Sequence, residues 1–280
     1  MAPRAGAPPG RKSVGGPRHR FVLVHGAFHG GWCWARVADL LRAWGHQVWT
    51  PTLTGLGERA HLLGPDVALS TMVQDVVGCL EAEEVDGAVL VGHSFGGIPV
   101  CGAAEAVTGR LRGLVFLDAS LVAAGQRALD QLPPGVAAER LSQAEAFSNG
   151  LAFPPFPPAA FGVTEPADVA WLERRLTPHP VRTYQDPLRL AGPIGNGLPC
   201  AYLTCTAPIY GPTAAARELA AAHQGWRRQD LAAPHDAMVA APGLVATTLV
   251  ELAAALGSGG PSTTALPGAP TAPGSAAARE

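Results

Sequence analysis

Lysine is almost missing from this chain. Lys12 is the one lysine in 280 residues, and the rest of the positive charge is arginine. Charge of either sign is sparse: 15% of residues are Asp, Glu, Lys or Arg, and the formal net charge is −2. A basic stripe cannot be built from this inventory, so nucleic acid is not an expected partner. Long apolar runs are also missing. No stretch approaches the roughly 18 consecutive apolar residues of a membrane span, so a membrane is not an expected partner either. The lead "MAPRAGAPPGRKSVGGPRHR" is basic but has no apolar segment before the first strand, and it is not read as a secretory signal. Cys33, Cys79, Cys101, Cys200 and Cys205 are odd in number and form no CxxC pair. They read as reduced, buried thiols of a cytoplasmic protein. There is no HExxH, no His/Cys cluster and no P-loop, and neither metal nor cofactor is expected. "GLGERA" (55–60) formally fits G-x-G-x-x-A, but it opens into loop-like sequence and no acidic residue closes a following strand, so it is not read as a dinucleotide site.

The remaining sequence is punctuated regularly. Residues 1–19 and 257–280 are low-complexity and expected to be disordered, leaving about 230 residues, enough for one large α/β domain. Apolar strand-like runs (20–25, 46–51, 87–93, 111–119, 198–206, 226–231) alternate with helical periodicity (32–44, 71–83, 96–107, 213–223, 243–256). Apolar strands flanked by helices predict a parallel sheet of about six strands covered on both faces. Residues 121–197 break the rhythm with proline and aromatics, as in "AFPPFPPAAFG". A structureless stretch that long is rare in a compact domain, so it is expected to form a mostly helical cap over the C-terminal sheet edge.

The run "VLVGHSFGGIPV" (89–100) places Ser94 between glycines 92 and 96, at a strand-to-helix junction. This G-x-S-x-G context forces the serine into a strained backbone conformation and leaves its hydroxyl clear of the sheet edge. Ser94 is the candidate nucleophile, and the Phe95 N–H at the following helix start is a candidate oxyanion donor. A second donor is expected from "VLVHGAFHGGWCW" (22–34), at Ala27 with Phe28 beside it; the His25 ring reads as scaffold and His29 as a pocket-rim residue. His235, in "DLAAPHDAMV", follows the last strand and so falls at the same sheet edge; it is the candidate general base. Of the other histidines, His19 falls in the lead, His46 starts a strand, His93 points away from the nucleophile, and His61, His179 and His223 read as surface positions.

Three motifs in this order, "VLVHGAFHGGWCW", "VGHSFGG" and "HDAMV", resemble the α/β-hydrolase superfamily. Within it the chain is similar to the branch of plant methylesterases, hydroxynitrile lyases and related bacterial esterases, over about residues 20–256. The resemblance implies acyl chemistry with a Ser/His/acid triad, and it exposes a departure. Most of the superfamily places the acid after the penultimate strand, but "YLTCTAPIYGP" (202–212) contains none. Asp118 in "LVFLDA", at the end of the strand after the nucleophile's helix, is the replacement; some lipases place their acid there. The alternative is that Asp118 caps the connection into the insertion and something else orients His235. Asp236 adjoins His235 and cannot easily fold back, and Asp230 and Asp186 are poorer choices. The lyases of this branch resemble it with threonine at the place of Gly26 and lysine at that of Asp236, so the resemblance favours ester hydrolysis over cyanide-releasing cleavage. A lyase, eliminase or cyclase on a polyketide-like metabolite is the second reading, and a ligand-binding receptor the non-enzymatic one. Phe28, Trp32, Phe153, Phe156, Trp171, Tyr184, Tyr210 and Met238 are the expected lining of an apolar substrate pocket. The partner is then a small or medium apolar ester, with a homodimer left open. The Ala/Arg/Pro/Gly-heavy composition is that of a high-GC bacterium, the setting of natural-product tailoring.

Overall fold

The computed structural model describes residues 17–256. The expected disordered tail and most of the expected disordered lead lie outside that range. Six strands form one parallel sheet: β1 (Arg20–Val24), β2 (Gln47–Trp49), β3 (Ala88–His93), β4 (Leu111–Leu117), β7 (Cys200–Cys205) and β8 (Arg227–Leu231). Their spatial order is β2-β1-β3-β4-β7-β8. Two short strands, β5 (Ala152–Phe153) and β6 (His179–Pro180), pair antiparallel outside the sheet.

The period of two along each strand divides the core. Val22 and Val24 of β1 and Leu114 and Phe116 of β4 point to one face. Phe21, Leu23, Val115 and Leu117 point to the other. The first face is covered by α2 (Leu69–Ala82), α3 (Gly97–Ala106) and α7 (Ala214–Ala222), and the second by α1 (Ala35–Ala43), the short α8 (Ala237–Ala240) and α9 (Pro242–Leu256). Burial on both faces is why the central strands read as continuous apolar runs. β8 is the exception: it is an edge strand, and its Arg227, Arg228, Gln229 and Asp230 are exposed. Such polar residues discourage edge-to-edge pairing.

Parallel register fixes the site. His93, the last residue of β3, pairs with Leu117, the last of β4. Ser94 and Asp118 are therefore the first residues beyond two adjacent strands, roughly 5 Å apart in the pairing direction. Cys205 of β7 pairs with Leu231 of β8, so the loop carrying His235 leaves the sheet two strands beyond β4 and has to reach back over β7.

Between β4 and β7 the chain builds α4 (Pro134–Ser148), the β5/β6 pair, α5 (Pro166–Glu173) and α6 (Arg182–Gln185). The expected helical segment thus also holds a small antiparallel pair. His19 corrects the N-terminal boundary. It is 3% exposed and stacks on His46 with ring centroids 5.3 Å apart, so the ordered chain begins before residue 20.

Candidate active site

Glycine is required around Ser94 by contact. A Cβ on Gly92 would lie 2.8 Å from the Gly97 Cα, and one on Gly96 would lie 2.4 Å from the His25 carbonyl oxygen. Gly96 is therefore needed because α3 starts hard against the end of β1. Ser94 itself has φ +51°, a left-handed conformation that L residues rarely hold. Asp118 (φ +40°) and Phe28 (φ +68°) share it, so the ends of three adjacent strands carry strained residues at one edge.

The three expected groups meet there. The Ser94 hydroxyl is 2.9 Å from Nε2 of His235, and Nδ1 of His235 is 2.7 Å from Oδ2 of Asp118. Asp118 is fully buried and His235 nearly so. The loop after β7 contains no acid and instead supports Asp118. Thr213 donates its hydroxyl to Oδ1 at 3.2 Å, and Arg217 stands 3.9 Å from the same oxygen. Asp186 accepts from the Leu69 N–H, and Asp236 is occupied elsewhere, so neither reaches His235 Nδ1. Tyr210 lies flat on the His235 ring, centroids 3.7 Å apart.

Ala27 lines the cavity over Ser94, and Phe95 follows Ser94 in the helical turn that leads into α3. Phe28 departs from expectation. Its N–H points to Nδ1 of His179 at 3.4 Å, which diverts it from an oxyanion role, while its ring lines the cavity. His179 is accordingly not a surface residue. It is fully buried, donates from Nε2 to the Thr183 hydroxyl, and is held neutral because burial pushes its pKa well below the usual value.

His25 donates from Nδ1 to the Gly26 carbonyl and accepts the Leu53 N–H at Nε2; burial lowers its pKa to about 3, so it is a neutral brace. His29 does line the cavity over Ser94, though from within the fold rather than at an open rim. It is buried and faces the Ala27 carbonyl at 2.7 Å and the Asp236 carboxylate at 3.0 Å. Burial alone would lower the His29 pKa, but the charge and hydrogen bond of Asp236 and the hydrogen bond to the Ala27 carbonyl together outweigh it, and the net shift is upward. Burial likewise opposes the Asp236 carboxylate, and His29 holds its pKa below the ordinary range. His93 donates from Nε2 to the His235 carbonyl, 2.9 Å away, which anchors the base's loop; burial brings its pKa to about 3. Donor atoms of His93, His235 and Asp236 lie within 4.8 Å of one another, but both ring nitrogens of His235 are engaged by Ser94 and Asp118, so the trio is already committed internally.

Of the expected pocket residues, Phe28, Phe156, Tyr184 and Tyr210 line the cavity over Ser94. The other four do not. Met238 is fully buried in the core on the α1/α9 face. Trp171 packs edge-on to Trp32 at 5.0 Å, with Arg36 and Arg175 over its ring, so both tryptophans belong to the α5 contact. Phe153 stands behind Tyr184 at 5.3 Å. Polar lining residues absent from the sequence reading are Ser120, Gln131 and Arg140.

A sheet with its serine on a strained turn after β3 and its histidine after the last strand defines an α/β-hydrolase. The sequence model of the "Alpha/beta hydrolase family" matches residues 21–272. The carbendazim hydrolyzing esterase of Nocardioides sp. (strain SG-4G) is 40% identical over 241 residues, spanning 83% of this chain and 98% of that protein. Plant relatives match over shorter stretches. The Arabidopsis thaliana alpha-hydroxynitrile lyase is 37% identical over 111 residues, covering 37% of this chain and 41% of its own length. Among solved structures, an extracellular α/β-hydrolase from a Paenibacillus species aligns with a TM-score of 0.73 at 24% identity, over 83% of this chain and 98% of that one, a likeness of fold. The chain belongs to the α/β-hydrolase family, in the branch that holds plant methylesterases, hydroxynitrile lyases and bacterial esterases. It is a carboxylic-ester hydrolase of that fold.

Proposed function

We propose that the chain hydrolyses a small or medium apolar ester through an acyl-enzyme on Ser94. The observation that carries this is the continuous relay from Ser94 Oγ to His235 Nε2 at 2.9 Å and from His235 Nδ1 to Asp118 at 2.7 Å. His235 takes the hydroxyl proton as Ser94 attacks the carbonyl carbon. Asp118 accepts the Nδ1–H throughout, which fixes the tautomer and stabilises the imidazolium. The amides of Ala27 and Phe95 donate to the oxyanion; such donors are worth about 3 kcal/mol each in the transition state. The imidazolium then protonates the departing alcohol. Water attacks the acyl-enzyme with His235 again as base, and free Ser94 returns.

Two observations weigh against cyanide-releasing cleavage of the hydroxynitrile lyase kind. A Cβ on Gly26 would stand 2.7 Å from the Ser94 Cβ, so a threonine has no room there without moving the nucleophile. At position 236 the chain holds a carboxylate already paired with His29 in place of a cation. The unpaired cysteines fit the reducing cytoplasm we propose for it. The test is p-nitrophenyl acetate and butyrate hydrolysis with rapid mixing. Wild type is expected to show a nitrophenolate burst equal to the enzyme concentration, and Ser94→Ala none. Turnover by Ser94→Ala at the wild-type rate would rule out the acyl-enzyme.

A further inference from the structure

The insertion between β4 and β7 carries one cation into the cavity. Arg140, on α4, is half-buried and lines the space over Ser94. Its guanidinium carbon sits 3.8 Å from the centroid of the Phe156 ring. Phe156 in turn meets Phe28 edge-to-face at 4.9 Å, and Phe28 is the neighbour of the Ala27 amide. The row Phe28–Phe156–Arg140 therefore leads away from the place of the reacting carbonyl and ends on a positive charge.

Several other arginines have an acidic partner, as Arg36 has Asp168 and Arg127 has Asp130. Among the described residues Arg140 has no ion pair and no hydrogen bond. The carboxylates of the site are paired elsewhere, Asp236 through Oδ2 with His29 and Asp118 with His235 and Thr213. The contact with Phe156 holds the guanidinium over the ring without consuming its N–H groups. That leaves a rigid donor edge of the shape that takes a planar anion in two parallel hydrogen bonds. Its field also reaches Tyr184 and Tyr210, where it offsets part of what burial does to the two phenols.

We propose that Arg140 is a specificity-determining residue that selects esters bearing a second, free carboxylate: half-esters of dicarboxylic acids, with the reacting carbonyl at Ser94, an apolar spacer along Phe28 and Phe156, and the carboxylate on the guanidinium edge. This deepens, and rests on, the esterase reading above. The test compares kcat/KM for monomethyl adipate with that for methyl hexanoate, a neutral ester of equal chain length, in wild type, Arg140→Gln and Arg140→Lys. The ratio between the two esters is the readout, because a general loss of activity cancels in it. Wild type is expected to favour the half-ester by about tenfold or more, the size of one charge-assisted hydrogen bond. Arg140→Gln should erase that preference and Arg140→Lys keep part of it. A wild-type ratio at or below one, or a ratio unchanged in Arg140→Gln, overturns the proposal. Failure of the esterase reading looks different: wild type then hydrolyses neither ester. In that event calorimetric binding of monomethyl adipate to Ser94→Ala, with and without Arg140→Gln, decides the matter. Affinity lost with Arg140 upholds the assignment, and equal affinity overturns it.

Discussion

His29 faces two groups that can only accept, the Ala27 carbonyl at 2.7 Å and the Asp236 carboxylate at 3.0 Å. Both ring nitrogens must then carry hydrogen, so the ring is an imidazolium in a buried ion pair. The pair ties the loop of Ala27 to the loop of His235. Removing one partner of such a pair costs about 3–5 kcal/mol, because the other is left buried and alone. His29→Ala is therefore expected to lose about 3 kcal/mol of stability in urea unfolding at pH 6. The pH dependence follows from the two shifts. His29, raised, stabilises fully below its ordinary value and stops doing so as pH rises through its folded pKa. Asp236, lowered, stabilises above its ordinary value and stops as pH falls through its folded pKa. The stability gap between wild type and Asp236→Asn should thus be widest from about pH 4 to 6.5 and narrow on either side. A gap that stays constant from pH 3 to 9 contradicts the ion pair. Sequence placed His29 near the pocket but gave no sign of its partner, which lies 207 positions away.

At the scale of elements, what was legible followed from strand ends. A motif that closes one strand, and a histidine in the loop after another, fall at the same edge of any parallel sheet, and Ser94, Asp118 and His235 are all of that kind. The pocket was legible only in part. An insertion buries side chains by its tertiary packing on the sheet, and aromatic content does not say which of them face inward. Phe156 and Tyr184 do, while Phe153 and Trp171 pack one layer back. His179 looked like a surface residue because its "TPHPV" context is that of a loop, yet β6 pairs with β5 and seals it inside. Two substitutions test this placement. Met238→Ala should cost about 2–5 kcal/mol by opening a core cavity while leaving the preference between acetate and butyrate esters unchanged. Gly96→Ala must push α3 off the His25 carbonyl, and is expected to lower stability by about 3 kcal/mol and the esterase rate with it. Gly96→Ala with wild-type stability would mean that the β1–α3 contact is looser than the 2.4 Å clearance indicates.

At the scale of the molecule, the five thiols report whether the whole domain is closed. Cys33, Cys101, Cys200 and Cys205 are buried and Cys79 is half-buried on α2, where burial raises its pKa to about 11. Titration with a disulfide reagent at pH 8 should find all five slow in the native protein and all five fast in urea. A thiol that reacts at once in the native state contradicts the packing of its helix or strand. The parallel sheet at the domain's centre carries the chemistry: the acid follows β4 because register puts Asp118 beside Ser94, while the loop after β7 supplies only Thr213 and Arg217 in support. The most direct measurement is kcat for p-nitrophenyl butyrate in Asp118→Asn. A loss near ten-thousandfold with the fold intact is the expected result, since the amide would hold the imidazole in the wrong tautomer. An Asp118→Asn protein that retains most of the wild-type kcat would contradict the triad and send the search for the acid elsewhere in the site.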